Sequence, residues 1–167
     1  MTITLEQVLE SRDKRAALQK QMLAQYGLPL VSLTVVMPGS EKRNATSLFI
    51  AKEAVRAIER NLTILTYEKR DLETGFEAIF VVMRDAMQLK HITVDIEESH
   101  PLGRLFDIDV IDRDGTPISR EQIGVAPRKC LVCGDISAAC VRSRKHSVDE
   151  VITVIESMVS NYKNNYI

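Results

Sequence analysis

A chain of 167 residues, 45% apolar and 27% charged, has ordinary globular usage and enough length to bury one core. A net charge of −1 argues against a general nucleic-acid or anionic-membrane binder, and 5% aromatics with no Trp argue against a base-stacking surface. The odd count of three cysteines, and a start that runs straight into charged residues without a signal peptide or membrane-spanning run, predict a cytoplasmic, reduced protein.

Leu5 to Tyr26 is predicted as a helix of strong helix formers, closed by Gly27 and followed by Pro29. Arg12 and Arg15 interrupt its apolar stripe, so one side is wet or faces a ligand. Leu30 to Met37 is a β-rich apolar run ended by Pro38-Gly39. A polar loop, Ser40 to Ala45, leads into a helix from about Ser47 to Arg60 that buries Ile50, Ala54, Ala57 and Ile58. Leu62 to Tyr67 and Phe76 to Met83 read as strands. Asp85 to Ser99 mixes both signals and is assigned to helix. Arg104 to Ile111 is a strand, with Asp114-Gly115 as a tight turn after it. Gly124 to Gly134 is irregular. Ser147 and Glu150 form a capping box for a last helix whose face carries Val151, Ile155, Val159 and Tyr162. With no repeats and no linker, residues 1–167 are expected to form a single α/β domain, a mixed sheet with flanking helices.

The strand Phe106-Asp107-Ile108-Asp109-Val110 is the most informative segment. Alternate side chains leave a strand on the same face, so Phe106, Ile108 and Val110 point one way and the two aspartates the other. The aspartate Cα atoms then lie roughly 6.6 Å apart, and both carboxylates can converge on one hard cation. Without a cation or donor they would repel. Mg²⁺ takes one or two carboxylates plus substrate phosphates, and phosphoryl or nucleotidyl transfer needs such an ion. A solvated edge strand is the bland alternative. Just upstream, Arg104 offers a planar fork for phosphate oxygens and His100 a proton carrier. The plainer roles are a salt bridge from Arg104 to Glu97 or Glu98 and a loop position for His100.

Cys130-x2-Cys133-x6-Cys140-x5-His146 gathers every cysteine of the chain beside a histidine. Thiolate and imidazole at such spacings can close a tetrahedral zinc site, although the x6 gap is unlike familiar zinc fingers. Three reduced thiols packed near the core are the alternative. Lys129, Arg142, Arg144 and Lys145 make the same region a surface for phosphate or an acidic partner. The segment Pro38-Gly39-Ser40-Glu41-Lys42-Arg43-Asn44 could cradle an anion at a helix start, but it is no Walker A loop, and a plain strand-to-helix loop is the simpler reading.

These residues resemble the apo-citrate lyase phosphoribosyl-dephospho-CoA transferases, also called holo-citrate lyase synthases. The likeness comprises Arg12-Asp13-x-Arg15, Ser32-Leu33-Thr34 into Met37-Pro38-Gly39 and Lys42, and the long string from Glu98 and His100-Pro101-Leu102-Gly103-Arg104 through Asp107-Ile108-Asp109-Val110. It continues in Arg128-Lys129-Cys130-Leu131-x-Cys133 with Cys140, Arg142 and His146. Val36-Met37 departs from the pattern, where an Asn-Ile-like pair is expected. The resemblance implies transfer of 2′-(5″-triphosphoribosyl)-3′-dephospho-CoA to a serine of the acyl carrier (gamma) subunit of citrate lyase, with release of diphosphate. No nucleic-acid or membrane partner is expected, on the net charge and the lack of a membrane-spanning run. Asp107 and Asp109 would hold Mg²⁺, with Arg104 as a further catalytic residue. His100, Gly103, Lys42 and Arg128 would contact substrate. Glycine followed by Asp-x-Asp also looks like the metal motif of polymerase-β-type nucleotidyltransferases, without its usual Gly-Ser start, so a nucleotidyltransferase-like fold is an expectation by analogy. Alternatives are a related enzyme acting on another carrier, such as that of malonate decarboxylase, and a zinc-stabilised adaptor that only binds the carrier.

Overall fold

Two apolar clusters sandwich one sheet in the computed structural model, which describes residues 2–167. The strands are β1 (Leu30–Val35), β2 (Ile64–Leu72), β3 (Gly75–Val82), β4 (Phe106–Ile111) and β5 (Pro117–Ile118), in the order β2-β3-β1-β4-β5. The helices are α1 (Leu5–Tyr26), α2 (Ala45–Asn61), α3 (Ala86–Ser99), α4 (Ser137–Ser143) and α5 (Val148–Tyr166). The α/β class expected from the interleaved pattern is the one that forms.

Every strand pairing among the described residues is antiparallel, which corrects the expected mixed sheet. The cause is topological. The crossover β1–α2–β2 skips the position filled by β3, and β3–α3–β4 skips the position filled by β1. Strands that run the same way are therefore never neighbours. The order and the β-α-β-β-α-β succession are those of a split βαβ, ferredoxin-like core.

The larger cluster joins the inner faces of α2, α3 and α5 to Val31, Leu33, Phe80, Ile108 and Val110 of the sheet. Each such fully buried side chain contributes about 1.5–3 kcal/mol. The opposite face is covered by α1 alone. Its C-terminal half, through Leu18, Met22 and Tyr26, packs on Leu30, Ile79, Val81 and Ile111. Its N-terminal half carries Ser11, Arg12 and Arg15 and leaves an open cleft over the sheet. The broken stripe thus marks where the helix stops being core.

Caps set the helix ends. Thr4 and Gln7 form a capping box at α1, and Gly27 closes it in the left-handed region at φ 62°. Asp85 accepts from the backbone N–H groups of Met87 and Gln88, which settles residues 85–99 as a capped helix. Asn44 caps α2, so that helix starts before the expected Ser47. Ser147 and Glu150 close the expected capping box at α5.

Some boundaries move for local reasons. β2 runs to Leu72, past the expected Tyr67, because on an edge strand Glu68, Lys69 and Asp71 stay exposed while Arg70 pairs with Glu77. The expected strand start at Arg104 is taken by a 3₁₀ turn, Gly103–Leu105, and β4 begins at Phe106. The Asp114-Gly115 turn links β4 to β5. β5 and α4, both short, had no periodicity long enough to announce them. No helix among the described residues is long and apolar enough to cross a membrane.

Candidate phosphate and metal site

The two aspartates of β4 leave the same face of the sheet, opposite buried Phe106, Ile108 and Val110. They meet central strand β1, where Asp107 pairs in register with Thr34 and Asp109 with Ser32. Thr34 pairs on its other side with Glu77 of β3, so Glu77, Thr34 and Asp107 form one row under α1. The Thr34 hydroxyl donates to Asp107 Oδ2 at 3.1 Å. Asp109 is exposed. Its carboxyl is nonetheless pushed above the usual range, first by the protein around it and then by the charge of Asp107, while Lys90 and Arg15 pull the other way.

A cleft of about 200 Å³ lies between the N-terminal half of α1 and this face. Arg12, Arg15, Lys42, Thr34 and Asp107 line it. Arg15 lies 3.4 Å from Glu77, whose buried carboxylate also accepts from Ser11 at 2.9 Å and from Arg70 at 2.6 Å. Arg12 has no carboxylate partner among the described residues. The Lys42 ammonium donates to the Met37 carbonyl, and its pKa is pushed down, first by burial and then by Arg12. Two cations line one cleft, neither offset by a carboxylate, and together they have the charge to receive a multiply charged anion.

Lys42 is thus the one residue of the Pro38–Asn44 loop that the fold turns into the cleft. Arg43 turns away to Asp71, with both hydrogen bonds at 2.8 Å. Asn44 fills the N-terminus of α2, which removes the simplest backbone anion cradle there. Where Val36-Met37 departs from the family pattern, the contact to Lys42 comes from a backbone carbonyl, which any side chain can supply.

The remaining expected site residues lie around β4 and not in the cleft. Arg128 reaches Asp107 Oδ1 at 3.3 Å and donates to the carbonyls of Arg104 and Phe106 at 2.8 and 2.9 Å. Arg104 donates to the Lys129 carbonyl. Neither Glu97 nor Glu98 pairs with it, because Arg120 takes both, at 2.6 and 3.1 Å. Buried Glu97 also accepts the Ile108 N–H at 3.0 Å, which caps the outer edge of β4.

His100 sits on the other side of the sheet, between the rings of Phe106 and Tyr162 at 4.9 and 5.5 Å. Its Nδ1 accepts the Leu102 N–H at 3.0 Å, and burial pushes its pKa down. Gly103 packs against the end of α3, where an added Cβ would stand 2.3 Å from the Glu97 carbonyl oxygen. Glu77 and Glu97 were not legible as site residues. Each is a lone Glu in an otherwise ordinary strand or helix, and only the fold supplies its cations.

The cysteine–histidine segment forms a second centre. Ligand atoms of Cys130, Cys133, Cys140 and His146 all lie within 4.8 Å of one another, the only group of three or more metal-ligating side chains among the described residues. The sulfurs of Cys133 and Cys140 are 3.5 Å apart and unbonded. Backbone Asp135 N–H and then His146 hold the Cys133 thiol below its ordinary pKa. Burial and the neighbouring thiols push Cys140 up to about 11. The arrangement can hold a metal ion.

Taken together, the split βαβ sheet, with an aspartate pair on the face that a cleft lined by Arg12, Arg15 and Lys42 opens onto, defines an α/β protein with the charged groups to receive a polyanion. The sequence specifies it further. The model of the family apo-citrate lyase phosphoribosyl-dephospho-CoA transferase matches residues 3–162, and the chain belongs to that family. It is 38% identical over 168 residues to a probable apo-citrate lyase phosphoribosyl-dephospho-CoA transferase of Vibrio cholerae, covering 97% of this chain and 94% of that protein. It is 32% identical to the apo-citrate lyase phosphoribosyl-dephospho-CoA transferase of Escherichia coli O1:K1 / APEC, covering 95% and 90%. It is 39% identical to Protein CitXG of Haemophilus influenzae, where it covers 96% of this chain but spans only 36% of the relative.

Proposed function

We propose that the protein transfers 2′-(5″-triphosphoribosyl)-3′-dephospho-CoA to a serine of the apo acyl carrier subunit of citrate lyase, in the cytoplasm, with release of diphosphate. The observation that carries this reading is the placement of Asp107 beside Arg12, Arg15 and Lys42 in one cleft, with Asp109 on the same face. This is nucleotidyltransferase chemistry. The carrier serine oxygen attacks the α-phosphorus, a phosphodiester bond forms, the bond to the β-phosphate oxygen breaks, and diphosphate departs.

The all-oxygen donor pair of Asp107 and Asp109 suits Mg²⁺, which would neutralise charge developing on the triphosphate. One of the two aspartates accepts the serine proton. Lys42 and Arg12 steady the phosphate oxygens, with Arg15 shared between them and Glu77. Arg128 orients the Asp107 carboxylate, and Arg104 fixes Arg128 through its carbonyl. His100 and Gly103 shape the turn that starts β4. The thiol–imidazole cluster suits Zn²⁺ and supplies no step of this reaction.

Incubating the protein with Mg²⁺, apo-carrier and the triphosphoribosyl precursor, then weighing the intact carrier, tests the proposal. The carrier should gain the mass of the precursor less diphosphate, and the apo-carrier of malonate decarboxylase in a parallel incubation should gain none. Asp107→Asn and Asp109→Asn should each cost about 3 kcal/mol or more of transition-state stabilisation, on the order of 10²-fold in rate, with unchanged circular dichroism. Full activity in both variants would remove the aspartates from the chemistry.

A further inference from the structure

From Ser119 to Ser147 the only buried residue is Cys140. So long a segment with almost no core of its own needs another source of order, and a bound metal can supply it. The four ligands are placed to supply it. Cys130 and Cys133 lie in one turn, Cys140 in α4, and His146 directly before the cap of α5, so one ion would pin three parts of the chain. The Val132 N–H donates to Cys130 Sγ at 3.4 Å, as in turns that present thiolates to a metal. His146 Nε2 is buried and has no hydrogen-bond partner, the one such side-chain atom among the described residues. A buried, unpartnered imidazole nitrogen on a residue clustered with three thiols has the chemistry of a metal ligand. With Zn–S bonds of 2.3 Å, tetrahedral sulfurs stand about 3.8 Å apart, close to the 3.5 Å between Cys133 and Cys140.

The same turn carries Arg128. The Arg128 carbonyl accepts the Ser137 N–H at 2.8 Å, Lys129 bridges Ile136, and the Cys130 N–H donates to the Asp135 carbonyl at 2.6 Å. From that anchored position the Arg128 guanidinium reaches Asp107 and the carbonyls of Arg104 and Phe106.

Resting on the reading of the cluster as a Zn²⁺ site, we infer that zinc bound by Cys130, Cys133, Cys140 and His146 holds Arg128 against Asp107, so that a metal centre outside the cleft positions a carboxylate within it. Arg128 is a positioning residue, and the zinc acts through it.

The experiment uses the full chain. Its zinc content is measured by mass spectrometry of the metals, then the ion is stripped with a chelator under reducing conditions and restored with ZnCl₂. Hydrogen exchange is followed in peptides over 103–109 and in β1 and β3. Stoichiometric zinc is expected, and its removal should speed exchange over 103–109 on the order of 10-fold while β1 and β3 stay protected. ZnCl₂ should reverse the change. Arg128→Gln should speed the same peptides comparably with zinc still bound. In the Cys133→Ser background it should add less than about 3-fold more, because the two substitutions break one linkage.

A chain that carries no zinc and binds none from ZnCl₂ overturns the metal site itself. Bound zinc whose removal leaves 103–109 unchanged, or Arg128→Gln effects that add in full to those of Cys133→Ser, leave the zinc site standing and overturn the coupling. Loss of protection in β1 and β3 on stripping overturns the local role.

Discussion

Arg12 and Arg15 are separated by less than one helical turn, yet they are in different electrostatic states. Arg15 shares the buried carboxylate of Glu77 with Arg70, so its charge is already partly balanced. Arg12 and Lys42 line the cleft without a carboxylate partner, and burial and then the Arg12 charge disfavour the Lys42 ammonium. An arriving polyphosphate would relieve that cost. A charge-assisted hydrogen bond contributes about 1.5–3 kcal/mol. Arg12→Ala or Lys42→Ala should therefore lower kcat/KM on the order of 10- to 100-fold, read from carrier mass against time at varied precursor, with melting temperature unchanged. A wild-type rate at low precursor in both variants would move the phosphates elsewhere. The sequence carried part of this. A stripe broken by Arg12 and Arg15 is visible in the chain, and so is a strand with alternate aspartates. That Lys42 comes to line the cleft with Arg12 is not, because a loop cation carries no periodicity. His100 shows the converse. A histidine beside the aspartate strand looks like a proton carrier, but its ring is held between Phe106 and Tyr162 on the far face.

At the scale of elements, the turn Gly103–Leu105 sets where β4 begins and therefore which face receives Asp107. A one-residue slip would send both aspartates into the core and Ile108 into the cleft. Gly103 fits there because its missing Cβ would lie 2.3 Å from one backbone atom and 2.6 Å from another, both of Glu97. Backbone cannot swing aside as a flexible side chain can. Gly103→Ala should cost about 1–3 kcal/mol, or roughly 2–4 °C of melting temperature per kcal/mol in a domain of this size. A calorimetric melt checks it, and an unshifted melt would show that α3 yields freely. The glycine was legible as part of a motif, but its reason was not. The close approach to α3 exists only once helix and turn are packed. Long periodic elements such as α5 could be read directly, whereas β5 and α4 are too short for a period and are held by strand pairing and by the thiol–imidazole cluster.

Across the whole molecule, the two faces of the sheet are unequally built. Three helices seal one, and a single helix, anchored mainly by its C-terminal half, covers the other. Stability should follow that asymmetry. Amides of β1, paired on both sides, should exchange slowest, and those in the first half of α1 much faster. Mg²⁺ with diphosphate should slow exchange in that half of α1 and leave β1 unchanged, which exchange mass spectrometry reads peptide by peptide. Uniform slowing across both elements would point to general stabilisation and not to occupation of the cleft.

The central strand owes its neighbours to distant parts of the chain. Thr34 and the aspartate it supports are 73 positions apart. During synthesis, Arg12 and Lys42 leave the ribosome well before Asp107 is made. A nascent chain stopped short of β4 would carry both cations without the acidic pair. The cations of the cleft are thus made first, and the acidic pair follows only once synthesis has passed Asp109.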